Sequence, residues 1–217
     1  MLKNTLIASF ALALFSLAAP ALAGPPFICH PFEIGDARSL PWTGGDYLGM
    51  RGDYDITHVV SDTEALLKTD MPTLARMETL RRAVLYASQN RALAERLVST
   101  LAARVDAADK TGRSDAVLLF DLGYTLEAMS EIEMLGHHMG SDLAVRGRAL
   151  AGMTRPDDGR ALILKSAALR PGDAGIAFAM ALIERAEAKH PHLLKARAGA
   201  KQDRLLAANM ARLQMLE

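Results

Sequence analysis

The pair Cys29-His30 has the clearest chemical potential in the sequence. A thiolate and an imidazole both bind soft or borderline metal ions such as copper and zinc, and they can also act as nucleophile and base. Adjacent side chains of an extended chain point in opposite directions, so chelation by this pair requires a turn at Pro31. The residues therefore allow a metal or redox site, and they equally allow a buried structural cysteine followed by a turn histidine.

Two further groups of histidines lie close together in the sequence. His137 and His138 follow Gly136 at a predicted helix end, where a cation interacts favourably with the helix dipole. The segment His190-Pro191-His192 can bring two imidazoles to one side of a turn. No cysteine stands beside it, and by itself this segment predicts a metal site only weakly.

Three glutamates, Glu127, Glu131 and Glu133, lie on one predicted helix. Glu127 and Glu131 are four residues apart and share a helix face. A di-metal bundle needs repeated Glu-x-x-His pairs, which the sequence lacks, so we expect a solvated acidic face. The chain also lacks Gly-x-Ser-x-Gly, a phosphate-binding glycine loop and His-Glu-x-x-His. We therefore predict a protein that is not an enzyme.

Residues 1–23 have the pattern of a cleavable secretory signal peptide. Lys3 precedes an apolar run from Leu6 to Ala19, and Pro20 and the small-residue pattern Ala21-Leu22-Ala23 follow. The run is shorter than the roughly 20 residues that a membrane span needs, and no later segment is predicted to span a membrane. We therefore predict a periplasmic or secreted protein, with an uncleaved N-terminal anchor as the alternative.

Cleavage after Ala23 would give an exported protein that begins at Gly24. We expect N-terminal sequencing and intact-mass measurement of the exported protein to find that terminus, because Ala21 and Ala23 provide the small side chains of a cleavage site. Recovery of the chain from the cytosol with residues 1–23 still attached would contradict this prediction.

Residues 24–60 form an arm whose prolines and glycines are unsuited to helices. Five aromatic residues lie in it: Phe27, Phe32, Trp42, Tyr47 and Tyr54. Large rings gain free energy only when they are buried, so we predict an ordered, non-helical arm that fills a groove of the helical body. Phe27, Phe32, Trp42 and Tyr47 are the candidates for binding a partner. A groove that Phe27, Phe32 and Trp42 filled themselves would move the binding surface elsewhere.

After Val60 the sequence has the periodicity of amphipathic helices. One apolar stripe, for example, consists of Leu74, Met77, Leu80, Val84 and Leu85. Capping residues and Gly or Pro stops predict helices from Ser61 or Asp62 to before Met71, from Pro72, from Asn90 to about Lys110, from Ser114 to Gly136, and over 141–150, 157–169, 173–189 and 192–216. Short connections favour antiparallel neighbours, so we predict an all-α domain of antiparallel helical hairpins over residues 61–217.

The segment from Asp157 to Lys189 resembles a tetratricopeptide repeat (TPR). The matching residues are Gly159, Ile163, Ser166 and Pro171, followed by Phe178, Ala179 and Leu182 in the next unit. Small residues in this family allow two helices to cross closely. The match ends beyond one repeat, because Gly175 and Pro191 stand where the family has an aromatic and a small residue. The resemblance implies a short TPR-like solenoid, and a non-repeating bundle is the alternative.

Charge and cysteine content limit the classes of partner. The chain has 25 basic and 25 acidic residues, and without a basic excess nucleic acid is a disfavoured partner. A single cysteine allows no internal disulfide, so stability must come from packing. The final helix has a basic side and an apolar side, which suits the cap of a solenoid, and a membrane surface is the alternative.

The sequence therefore predicts an exported, non-enzymatic helical-repeat module that binds a protein or peptide partner and needs no cofactor. The alternative is a periplasmic metal-handling or redox accessory protein that binds copper or zinc through Cys29 and His30.

Overall fold

The computed structural model describes residues 26–44, 49–137, 141–155, 157–184, 187 and 190–215. Within these ranges the chain forms ten α-helices, a 3-10 helix over Ile56–His58 and one isolated bridge between Trp42 and Met50. The helices are α1 (Pro26–Cys29), α2 (Val59–Leu66), α3 (Thr73–Ala87), α4 (Arg91–Lys110), α5 (Ala116–Gly136), α6 (Ser141–Leu150), α7 (Asp158–Leu169), α8 (Ala174–Ile183), α9 (Pro191–Ala200) and α10 (Arg204–Arg212). The predicted all-α class is confirmed. No described helix is both long and apolar enough to cross a bilayer.

Helix α3 lies at the centre of the fold. The apolar stripe predicted for it is buried in the core: Leu74, Met77, Leu80, Val84 and Leu85. Thirteen of its 15 residues are buried, because α1, α2, α4, α5 and α8 all pack against it. Its polar side is therefore buried as well, and the charges on that side need partners within the protein.

Helix α5 crosses its neighbours α6 and α7 at pairs of glycines. A Cβ atom added to Gly147 of α6 would lie 2.8 Å from the Cα atom of Gly136. A Cβ atom added to Gly159 of α7 would lie 2.5 Å from the carbonyl oxygen of Gly123. Both distances are too short for real side chains, so glycine is required where the helices meet. Gly136, predicted as a helix stop, is the last residue of α5 and also a packing position.

Ser166, the second small residue of α7, extends the contact with α5. It is buried, and its Oγ donates a hydrogen bond of 2.7 Å to the carbonyl oxygen of Ala116. Gly159 and Ser166, the small residues that match the tetratricopeptide pattern, therefore lie where α7 crosses α5 closely.

The arm contains a helical turn that the sequence did not predict. Pro26–Cys29 forms α1, where Pro26 opens the helix and its missing N–H removes no helical hydrogen bond. The Glu131 carboxylate of α5 accepts hydrogen bonds from Phe27 N (3.0 Å) and Ile28 N (3.1 Å). A side chain distant in the sequence thus supplies the N-terminal cap, which explains why local composition did not reveal this helix.

The prediction of a solvated acidic face on α5 is wrong. Besides Glu131, Glu127 accepts a hydrogen bond of 2.6 Å from Arg160 N in the first turn of α7. Burial raises the pKa of Glu127. Glu133 accepts a hydrogen bond of 3.1 Å from Gly152 N. All three carboxylates satisfy backbone amides of other segments.

Several predicted helix starts are correct to within a residue or two. Asn90 caps α4 by accepting a hydrogen bond from Ala92 N (2.9 Å). Asp115, rather than the predicted Ser114, caps α5 by accepting one from Val117 N (2.8 Å). Helix α2 begins at Val59, ahead of the predicted Ser61 or Asp62, because the 3-10 turn leads directly into it.

The predicted C-terminal helices are shorter than expected. Helix α8 ends at Ile183, and the single helix predicted over 192–216 is the pair α9 and α10. Asp203 separates the pair, because its carboxylate accepts hydrogen bonds from Leu205 N (2.9 Å) and Leu206 N (3.0 Å) and starts a new helix.

The glycine crossing of α5 and α7 can be tested with Gly159→Ala. The added Cβ meets the backbone of Gly123 and forces the helices apart. The expected overpacking cost is about 1–3 kcal/mol or more, against a helix-propensity gain of about 1 kcal/mol. Chemical denaturation should therefore show a lower free energy of unfolding.

Gly172→Ala is the matched control, because no atom lies within 4 Å of the position of its Cβ. We expect its free energy of unfolding to stay within about 0.5 kcal/mol of the parent protein. Equal stability of the Gly159→Ala and Gly172→Ala variants would show that α5 and α7 do not meet as described.

Candidate functional site

The aromatic residues of the arm are mostly buried in the helical body. The Phe27 ring stacks edge-on against Tyr124 of α5 at a centroid distance of 4.8 Å. The Phe32 ring packs in the same manner on Phe178 of α8 at 6.0 Å. Phe27 and Phe32 are only 1% and 4% exposed, so they offer a partner almost no surface. Their role in binding a partner remains a prediction, and an accessible binding surface lies elsewhere on the protein.

Trp42 is partly buried over the charged side of α3. The guanidinium carbon of Arg81 lies 4.7 Å from the centre of the Trp42 ring, and that of Arg82 lies 5.6 Å away. The edge of the ring also meets Tyr86 at a centroid distance of 6.0 Å. These contacts hold Trp42 on α3. Tyr47, the fourth aromatic candidate, lies outside the described residues.

A fully buried glutamate on α3 fixes the arm. Glu78 Oε2 accepts hydrogen bonds from Phe32 N (2.9 Å) and Arg81 Nε (2.8 Å). Glu78 Oε1 accepts hydrogen bonds from Arg81 Nη2 (2.8 Å) and Arg82 Nε (2.7 Å). Arg81 Nη1 in turn donates to the carbonyl oxygen of Ile28 (3.1 Å). One ion-pair network therefore satisfies both the charges of α3 and backbone groups of the arm.

Removal of the Glu78 carboxylate should release the arm. In Glu78→Ala the Arg81 guanidinium, which is fully buried, loses its anionic partner. We expect a loss of about 3–5 kcal/mol in the free energy of unfolding. Hydrogen exchange of the Phe32 amide should also become faster, because that amide loses its acceptor.

Glu95→Ala is the control, since Glu95 pairs with Arg91 at the i,i+4 spacing that also joins Glu78 to Arg82, but both side chains of this pair are about half exposed. We expect its effect to be at most about 0.5 kcal/mol. If Glu78→Ala were no more destabilising than Glu95→Ala, the network would not hold the arm.

Cys29 and His30 lie at the end of α1 and just after it. The Cys29 thiol is half-buried, and its pKa is raised by burial and by the Glu131 carboxylate, against the lowering effect of Arg81. The thiolate is therefore disfavoured. Among the described residues, neither side chain belongs to a set of three potential metal ligands. The predicted metal or redox role of this pair remains a prediction.

The described residues contain one cluster with the composition of a metal site, at the junction of α8 and α9. Glu184 Oε2 lies 3.1 Å from His190 Nε2 and 2.8 Å from His192 Nδ1. Arg160 Nη2 of α7 donates to the other carboxylate oxygen of Glu184 at 3.2 Å. Burial raises the pKa of Glu184, but the hydrogen bonds from His192 and Arg160 and the charges of the two histidines together hold it below its usual value.

The sequence identified the two histidines of this cluster but missed the carboxylate. It indicated that His190-Pro191-His192 can place two imidazoles on one side of a turn, and the ring centroids are indeed 5.4 Å apart. Spacing along the sequence did not indicate the carboxylate, but Glu184, which directly follows α8, lies beside both rings. A glutamate at the end of a helix shortly before a His-x-His segment was the available signal.

A shallow cleft of about 230 Å³ lies beside this cluster, between α7, α8 and α9. Its lining consists of Leu164, Ala167, Ala168, Arg170, Asp173, Ala177, His192 and Lys195. His192 therefore belongs both to the cluster and to the wall of the cleft. Four of these eight residues are apolar, and three of the four ionisable ones are basic.

Comparison of the chain with models of protein families, with curated proteins and with solved structures finds no match.

Proposed function

We propose that this protein is an exported, non-enzymatic binding module whose cleft between α7, α8 and α9 holds an acidic segment of a protein or peptide. The proposal rests on one observation: the cleft is lined by apolar side chains and by mostly basic ionisable ones, and no residue of the arm lines it. The predicted signal peptide supports a periplasmic or secreted location.

The size of the cleft favours a peptide over a small-molecule ligand. Its volume of about 230 Å³ is below the roughly 300–1,000 Å³ that encloses a drug-sized ligand. Leu164, Ala167 and Ala177 provide an apolar base on which a side chain of an extended segment can rest. The remainder of that segment would lie across the helices, outside the cleft.

The charges on the wall favour an acidic ligand. Within the described part of the chain no carboxylate lies within ion-pair distance of Lys195, so its charge is available to a ligand. Asp173 is already engaged: it accepts hydrogen bonds from Ile176 N (3.1 Å) and Thr73 Oγ1 (3.0 Å). Arg170 lies 3.8 Å from Asp173 and is about half exposed. Complementary charge would select the partner and speed its association.

The resemblance to a tetratricopeptide unit supports the same class of function. The segment from Asp157 to Lys189, which carries the resemblance, provides α7 and α8 and hence two of the three walls of the cleft. Stacked helical hairpins expose surfaces on which extended partners bind. We propose that α7 and α8 bind an extended partner on their exposed surface, as the stacked hairpins of a TPR protein do.

Selection from a library of short random peptides, followed by fluorescence anisotropy with the selected sequences, tests the proposal. We expect selected peptides to combine carboxylates with an apolar side chain and to bind more weakly at high salt. Lys195→Glu should weaken binding at least about tenfold, because a like charge then faces the ligand carboxylates.

Lys201→Glu provides the matched control, since it makes the same charge change at the opposite end of α9, outside the cleft. Its affinity should stay within about twofold of the parent protein. Selected peptides without carboxylates, or equal binding by the two variants, would contradict an acidic ligand in this cleft.

A further inference from the structure

We infer that Glu184, His190 and His192 form a binding site for one divalent transition-metal ion, with zinc as the best fit. The inference does not depend on the proposed function, because it rests on direct metal binding by three side chains, of which only His192 also lines the cleft. It also differs from the site considered at Cys29 and His30.

The donor atoms already lie close to a coordinating arrangement. Zinc in proteins is held at about 2.0–2.2 Å by imidazole nitrogen and carboxylate oxygen, which places tetrahedral donors roughly 3.3 Å apart. The two measured distances from Glu184 Oε2 are 3.1 Å to His190 Nε2 and 2.8 Å to His192 Nδ1. All three donor atoms lie within 4.8 Å of one another. Binding therefore requires these separations to change by a few tenths of an ångström up to about 1.5 Å.

The backbone restricts the two imidazoles before any metal binds. Pro191 opens α9 and holds His190 in an extended conformation, with φ −64° and ψ 134°. His192 follows in the first turn of the helix. The segment is therefore rigid compared with a flexible loop, and ordering its two rings around an ion costs less conformational entropy.

The carboxylate is also supported by a neighbouring side chain. Arg160 Nη2 contacts Glu184 Oε1, which leaves Oε2 directed at the two imidazoles. Hydrogen bonds of this kind orient metal ligands and strengthen binding. Glu184 is mostly buried, and the two histidines are 32% and 26% exposed, so an ion can reach the site from solvent.

The donor set identifies the class of metal. Two imidazoles and one carboxylate suit zinc and its neighbours in the first transition row, whereas calcium and magnesium prefer oxygen donors alone. Three protein ligands leave a fourth position for water or another small ligand. A bound ion would also connect the end of α8 to the start of α9.

Isothermal titration of the chelator-treated, full mature chain with zinc chloride tests the inference. We expect one zinc ion per chain in the parent protein and a rise of its thermal midpoint on zinc addition. His192→Ala and Glu184→Gln should each lower the zinc affinity at least about tenfold. Circular dichroism and the zinc-free melting curve of each variant establish that it is folded. His190→Ala replaces any variant that is not.

Two control variants locate the ion. His58→Ala removes an exposed histidine that pairs with Asp55. Cys29→Ala removes the only thiol. Both should bind zinc as the parent protein does, and the cobalt-loaded parent should lack a thiolate-to-metal charge-transfer band. Absence of zinc uptake by the parent, undiminished uptake by His192→Ala, or loss of uptake in Cys29→Ala would overturn the inference. Each result is independent of peptide binding, so failure of one proposal is distinguishable from failure of the other.

Discussion

Burial of charge on α3 is the constraint on which the rest of this fold depends. Glu78 and Arg81 are completely buried, and the side chains of Arg76 and Asp121 are 3% and 1% exposed. An unpaired charge in such a place costs several kcal/mol, so each must find its partner inside the protein. Arg76 Nη1 donates hydrogen bonds to both carboxylate oxygens of Asp121 on α5, at 2.7 and 2.8 Å. Burial raises the pKa of Asp121 to about 6, against the lowering effect of Arg76. Glu78 and Arg81 pair with each other on α3, and the arm supplies further hydrogen-bond partners from its backbone.

This requirement determines where a ligand can bind. Because Glu78 and Arg81 bind backbone groups of Phe32 and Ile28, the aromatic rings next to those groups are drawn into the space between α3, α5 and α8. That groove is therefore filled by the protein's own arm. The cleft between α7, α8 and α9 is not filled by the arm, and it combines apolar side chains with the charge of Lys195, for which no ion-pair partner exists among the described residues. Internal charge compensation thus separates the structural groove from the candidate binding surface.

The helices from α2 to α8 and their order could be predicted from the sequence because their signals are local. The stripe of α3 and the cap at Asn90 depend on residues within one or two helical turns. The functions of the glutamates could not be predicted in this way. Glu131 and Glu127 have the spacing of a solvated face. Only the tertiary fold shows that Glu131 binds Phe27 N of α1, 104 residues away in the sequence, and that Glu127 binds Arg160 N of α7, 33 residues away.

The candidate sites also divide into features that have a local signal in the sequence and features that only the tertiary fold shows. Cys29 and His30 are adjacent in the sequence, but Cys29 ends α1 and His30 follows it, and side chains one residue apart do not face each other. His190 and His192 are brought together by the proline between them, which is a local effect that the sequence did reveal. Glu184 lies beside them only in the folded protein, and the cleft requires three helices at once. Neither feature has a signal at one fixed spacing.

His192 links the two proposals physically. Its ring lines the cleft, and its Nδ1 atom is 2.8 Å from the Glu184 carboxylate. A metal ion on this nitrogen would place positive charge at the end of the cleft and hold the first turn of α9 against α8. An acidic segment in the cleft would interact favourably with that charge, and by linkage it would strengthen metal binding by the same factor. Occupation of one proposed site would therefore change the affinity of the other through the junction of α8 and α9.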